Sequence, residues 1–91
     1  MIQLYTSLID DEQDKLRFEI AYYKYRNLLH YRARSILKDE HRAEDAVQEV
    51  FMRIAKNFHK VGDINSPQTR NFFVLITERV ALNIAEREER F

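Results

Sequence analysis

The chain has 91 residues, which is one domain at the small end of what folds alone. Fifteen basic side chains balance fifteen acidic ones, so the basic excess by which a free-standing DNA-binding domain displaces counterions from phosphate is missing. There is no cysteine, which excludes disulfides and thiolate metal sites.

The neutral balance weighs against strong independent nucleic-acid binding, but not against a domain delivered to DNA by a larger partner. The opening "MIQLYTSLIDD" lacks the basic stretch of a signal peptide, and polar residues interrupt its apolar ones. No apolar run is long enough to span a bilayer, so a soluble cytoplasmic protein without a membrane partner is expected.

One Gly and one Pro leave a β-rich domain without turn residues, and an all-α chain is expected. Gly62 and Pro67 lie close together and mark the main break. The spacing predicts three helices, about 11–38, 40–61 and 67–88, forming a three-helix bundle over residues 1–91. Leu4, Leu8 and Ile9 are expected in a short N-terminal helical extra lying on that bundle.

Asp10 or Asp11 can cap the first long helix, and Glu12 and Asp14 suit its positive end. Phe18, Tyr22, Tyr25, Leu29, Ala33 and Ile36 recur at helical steps and form its inner stripe, widened by Ile20, Ala21, Leu28 and Leu37. The helix should stop near Lys38, and Asp39 reads as the next N-cap. Ala43, Val47, Val50, Ile54 and Phe58 form the next stripe, joined by Ala46 and Phe51. Gly62 can take the left-handed closing position. Ser66 followed by Pro67 is an N-cap with proline at the first helical position. Phe72, Phe73, Ile76, Val80 and Ile84 are expected in the core face of the third helix, with "FFVLI" deeply packed.

No enzymatic constellation is present. The three histidines are scattered, none at helical spacing from another. His41 has Glu40, Glu44 and Asp45 beside it, but a first helical turn attracts carboxylates for dipole reasons, so no metal site is assigned. A single Gly allows no phosphate-cradling loop, and Ser7, Ser35 and Ser66 have no base at recognisable spacing. No enzyme activity and no cofactor are expected.

One stretch asks for more than a core. In "DEHRAEDAVQEVFMRIAKNF", Asp45, Gln48, Glu49 and Met52 share an arc beside the inner stripe. A solvated face is one reading. An apolar Met continuing the acidic arc suits a partner helix instead, since its side chain adapts to a neighbour's shape. Periodicity leaves both open.

This stretch resembles the region 2 helix of bacterial RNA polymerase sigma factors of the sigma-70 family, in the extracytoplasmic-function (ECF) group. "AEDAVQEVF", followed by Arg53 and Ile54, carries the likeness. "FEIAYYKYRNLLHYRARSILKDEH" is similar to the helix before it, and "RNFFVLITERVALNIAER" to the helix that ends region 2. The likeness runs from about Leu16 to Arg87 in order and spacing.

The resemblance implies a transcription-initiation factor that binds core polymerase and recognises and melts the minus-ten promoter element. It implies docking on the clamp helices of the largest polymerase subunit through Asp45, Gln48 and Glu49, with Glu44 and Met52 flanking. It implies capture of the minus-ten non-template strand by the segment from Asn65 to Arg70, including Ser66 and Thr69, and by Arg79, Asn83 and Arg87. An anti-sigma partner is implied by family habit alone.

Many members carry Trp where this chain has Phe72, Asn at the position of Arg79 and Asp at that of Asn83. They tend to end the helix in a basic run, whereas this chain ends "AEREERF", with carboxylates beside Arg87 and Arg90. Phe72 and Phe73 are read as core. Sigma factors of this type also carry region 4, which is missing from this chain, so either a fragment of a longer sigma factor or a lone region 2-like domain is expected, and "EREERF", falling where an interdomain linker would begin, favours the fragment. The alternative is a protein-interaction module that keeps polymerase or anti-sigma binding without promoter recognition.

Overall fold

Three breaks in the helical backbone organise the molecule, at residues 7–11, at Lys38–Asp39 and from Asn57 to Ser66. A computed structural model describes residues 2–89. Helix α1 spans Ile2–Thr6, α2 Glu12–Leu37, α3 Glu40–Lys56 and α4 Pro67–Glu89, with a 3-10 turn over Phe58–Lys60. No strand occurs among the described residues. Helices α2, α3 and α4 pack pairwise against one another, and α1 lies across α2 and α3. The bundle measures 42 × 26 × 18 Å.

The caps follow from short side chains at the helix entries. Asp11 accepts from the backbone N–H groups of Gln13 and Asp14, at 2.7 and 3.1 Å. Asp39 accepts from the Arg42 N–H at 3.0 Å, and Ser66 from the Thr69 N–H at 3.1 Å. Each satisfies a donor that the first helical turn leaves free.

Gly62 does not take the left-handed closing position expected after the second long helix, since its φ is not positive, and the left-handed residue is instead Lys38 at the end of α2, with φ 56°. The Lys38 N–H closes α2 on the Arg34 carbonyl at 2.8 Å. The α3 helix ends at Lys56 rather than running to 61. Asn57 tightens the chain by bonding the Ile54 carbonyl at 3.2 Å, and the 3-10 turn follows.

The core is aromatic at one end. Phe18 meets Phe51 and Phe58 edge-on, with ring centroids 6.1 and 5.5 Å apart. Tyr5 closes this cluster, 5.9 Å from both Phe18 and Phe51. The N-terminal extra therefore docks through Tyr5 and Ile9, while Leu4 and Leu8 are exposed.

Three expected core positions point elsewhere. Ile20 is exposed because the inner line of α2 runs through Phe18, Ala21, Tyr25 and Leu29. Phe72 is 51 % exposed and Leu75 is exposed as well, whereas Phe73 is fully buried. The inner line of α4 runs through Thr69, Phe73, Thr77 and Val80, so Phe72 falls to its side. Thr77 tolerates full burial because its hydroxyl donates to the Phe73 carbonyl at 2.9 Å. Tyr22, Ile36, Val47, Ile76 and Ile84 are half-buried at the stripe edges.

Candidate polymerase and nucleic-acid surfaces

The α3 side chains that pack inward are those of Ala43, Ala46, Val50, Phe51, Ile54 and Ala55. This packing turns the opposite side of the helix outward. Glu44, Asp45 and Gln48 are exposed, and Glu49 and Met52 are half-buried. Among the described residues, Glu44, Asp45 and Gln48 have no side-chain ion pair or hydrogen bond, and Glu49 pairs with Arg53 at 3.1 Å one turn on. Met52 is partly buried and packs against the core at the edge of the arc.

A depression between α2 and α3 borders this arc. Arg26, Asn27 and His30 line it from one side, and Glu44, Val47 and Gln48 from the other. His30 Nε2 sits 2.8 Å from Glu40, which also pairs with Arg34 at 3.2 Å. His30, Glu40 and Glu44 bring potential ligand atoms within 4.8 Å of one another. Both Glu40 oxygens already have partners, which accounts for the grouping without an ion. His41 is not in this group.

A second depression lies between the end of α3 and the start of α4. Arg53, Lys60 and Arg79 line it together with the apolar Ile54, Ile76 and Phe72. Phe72 also lines the adjoining hollow formed by Gly62, Ser66, Gln68 and Thr69, so its ring is the ridge between the two. The exposed ring beside three cations is what stacking on an unpaired base requires. Arg53, Lys60 and Phe72 were outside the set expected from the sequence. The two basic residues were legible as cations, but their convergence depends on the 3-10 turn folding Lys60 back.

The loop before α4 is held from both sides. The Tyr25 hydroxyl donates to the Ile64 carbonyl at 2.6 Å, and Lys24 donates to Asn65 Oδ1 at 2.7 Å. Arg17 donates to the Val61 carbonyl at 2.9 Å and to that of Gly62, with its guanidinium 5.0 Å over the Phe58 ring. Burial raises the Tyr25 pKa, Arg70 nearby draws it down, and Asp63 adds to the rise. Ser66 Oγ lies 2.9 Å from the Asp63 carbonyl, and Thr69 donates to the same carbonyl at 2.7 Å. Thr69 is buried and its hydroxyl is occupied in this cap, whereas Asn65 and Arg70 are exposed.

Arg79, Asn83 and Arg87 are all exposed along α4 but do not share one hollow. Arg79 joins the Phe72 depression, while Asn83 and Arg87 face Glu49 and Arg53 across a separate, polar one. Glu86 lines that second hollow too, so its cations have carboxylates beside them. Glu88 is drawn to Arg42 of α3 at 2.6 Å.

The family model for Sigma-70 region 2 matches residues 21–91. The chain belongs to the sigma-70 region 2 family. Comparison with curated proteins and with solved structures finds no match. A sigma-70 region 2 is a non-enzymatic sigma-factor domain, and its place is in transcription initiation. The matched span takes in most of α2 and all of α3 and α4, so both surfaces lie within the sigma region. No helix among the described residues is long and apolar enough to cross a membrane.

Proposed function

We propose that this domain binds core RNA polymerase through the outward arc of α3 and captures unpaired minus-ten bases at the α3–α4 groove. The observation that carries the first half is the unengaged arc of Asp45 and Gln48 with Met52 at its edge. Carboxylates and an amide suit Arg and amide donors on the clamp helices, and the Met supplies contact that excludes water. Glu44 and Glu49 flank this arc.

The exposed Phe72 ring among Arg53, Lys60 and Arg79 supports the second half. A base leaving the duplex loses stacking worth a few kcal/mol, and an aromatic platform with cations at its rim offsets part of that. Asn65 and Ser66 sit on the adjoining loop and Arg70 in the first turn of α4, within reach of the same strand. Polymerase supplies the long-range attraction that a neutral domain lacks. The resemblance in the sequence supports reading the domain as one of the ECF group, and an anti-sigma partner follows from family habit alone.

A second reading is favoured by the polar hollow at Asn83 and Arg87, where Glu49 and Glu86 oppose the cations. In that reading the domain binds polymerase or an anti-sigma factor and leaves promoter DNA alone.

The deciding experiment measures binding to a purified clamp-helix fragment, wild type against Gln48→Ala with Glu49→Ala. Binding by wild type and its loss in a still-helical double variant are expected. A folded wild type that does not bind overturns the polymerase reading. A minus-ten non-template oligonucleotide added to the polymerase complex then separates the two readings: protection by wild type supports base capture, and none supports the interaction module.

A further inference from the structure

Helix α2 has an outer face that nothing in the fold covers. Leu16, Ile20, Tyr23 and Tyr31 are 57, 60, 57 and 73 % exposed. Leu16, Ile20, Tyr23 and Asn27 follow one another at steps of four, three and four residues, the spacing of a coiled-coil seam. This seam lies opposite the buried line of Phe18, Tyr25 and Leu29.

The charges along the helix are divided by end. Residues 10–19 hold five carboxylates and two cations, and residues 20–38 hold five cations and no carboxylate. A parallel neighbour of the same kind would set acid on acid and base on base. An antiparallel one sets acid on base twice.

We propose that two copies of this chain pair antiparallel through the outer faces of α2. The two-fold axis passes near residue 25. Tyr23 then meets Asn27 of the other copy, Leu16 meets Arg34, and Glu12 meets Lys38. Such a contact is self-complementary, as a two-fold interface must be. A helix of 26 residues is about 39 Å long, which gives the seam room for several turns of contact. Asn27 at the centre supplies a polar pairing with the Tyr23 hydroxyl that fixes register. Arg26 already rests on the Tyr23 ring, 5.1 Å from its centroid, and widens the apolar strip.

Arg26 and Asn27 also border the depression that Glu44 and Gln48 line. Pairing through α2 therefore crowds the polymerase arc. That consequence rests on the function proposed above, and the pairing itself does not.

Sedimentation equilibrium of the chain over a rising concentration series tests the pairing. Wild type is expected to pass from monomer to dimer, less readily at high salt. Ile20→Arg, at an exposed site, is expected to keep its helical circular dichroism and to weaken the dimer at least tenfold. The absence of native cysteine allows an orientation test. Leu16→Cys and Arg34→Cys chains, oxidised together, should form the mixed disulfide, and neither should cross-link efficiently to itself. A wild type that stays monomeric, a dimer indifferent to Ile20→Arg, or a Leu16→Cys chain that prefers to cross-link to itself overturns the proposal. Loss of clamp-helix binding in the Gln48 and Glu49 double variant with the dimer intact separates the two surfaces.

Discussion

The Tyr25 hydroxyl of α2 donates to the Ile64 carbonyl, 39 residues along the chain, in a buried hydrogen bond of 2.6 Å. It ties the loop that precedes α4 to the centre of the bundle. Tyr25→Phe keeps the ring, which meets Phe73 edge-on at 5.3 Å, but leaves a buried carbonyl without this donor. We expect a loss of about 1–3 kcal/mol in urea denaturation. Amide exchange should quicken first between Val61 and Ser66. Tyr5 and Tyr25 both have raised pKa values, chiefly through burial, so the neutral phenol is the form the fold holds. Their contribution is complete below the ordinary value of 10.0 and is lost as pH rises beyond it, because the unfolded chain ionises first. Tyr25→Phe should flatten that alkaline decline.

Phe72 and Phe73 are neighbours with opposite surroundings. Phe73→Ala empties a fully buried site and should cost about 3–5 kcal/mol. Phe72→Ala removes a half-exposed ring and should cost well under that, about 1 kcal/mol. If the ring stacks on a base, Phe72→Ala weakens capture of a minus-ten oligonucleotide by the polymerase complex by about tenfold, from stacking worth about 1–3 kcal/mol. Phe72→Trp should retain binding. Equal affinities for all three would remove Phe72 from the DNA surface.

These two residues also mark where the sequence could be read and where it could not. Helix number, the Asp11, Asp39 and Ser66 caps and the inner lines of α2 and α3 follow from spacing and short polar side chains. The α4 face did not follow, because hydroxyl residues occupy it. Thr69 and Thr77 look like surface in a hydropathy pattern, and each is buried through a local hydrogen bond. Counting apolar residues therefore turned Phe72 inward. Tyr5 was missed for a related reason: a five-residue helix has too few residues to show a period, and its docking depends on rings from α2 and α3. The acidic arc on α3 was legible because it lies beside a regular apolar stripe. The Arg53, Lys60, Phe72 and Arg79 grouping was not, since it requires the 3-10 turn to bring separate segments together.

Lys38 closes α2 in the left-handed region, at φ 56°. A side chain with a Cβ is strained there, and glycine is not. Lys38→Gly should raise stability by about 0.5–1 kcal/mol, the strain relief being partly offset by a looser unfolded chain. Lys38→Ala leaves the backbone strain in place and serves as the control for the lost charge. Thermal melts of the two variants should diverge in that direction.

Arg17 is held by Asp14 at 2.9 Å, stacks over Phe58 and donates to two carbonyls of the segment after the 3-10 turn. A lysine has the charge but neither the plane nor the fork. Arg17→Lys should cost about 1–2 kcal/mol despite the conserved charge, as bonds to a charged donor are lost.

The acid limb of stability should carry the mark of Asp39. Its carboxyl pKa is lowered from the ordinary 3.8, first by the Arg42 backbone N–H; desolvation opposes this, and the Arg42 charge, the His41 N–H and the His41 charge add to the lowering. The ionised cap therefore stabilises the fold fully above the unfolded value. As pH falls below it the unfolded chain takes up the proton first, and the contribution disappears through the lowered folded value. Asp39→Asn retains a capping oxygen but has no proton to gain. Wild type should be the more stable chain at neutral pH, and the two urea curves should converge as the solution is acidified below about pH 4. A gap that persists at low pH would mean that packing at the α2–α3 junction, and not the charge at the helix N-terminus, sets the preference for aspartate.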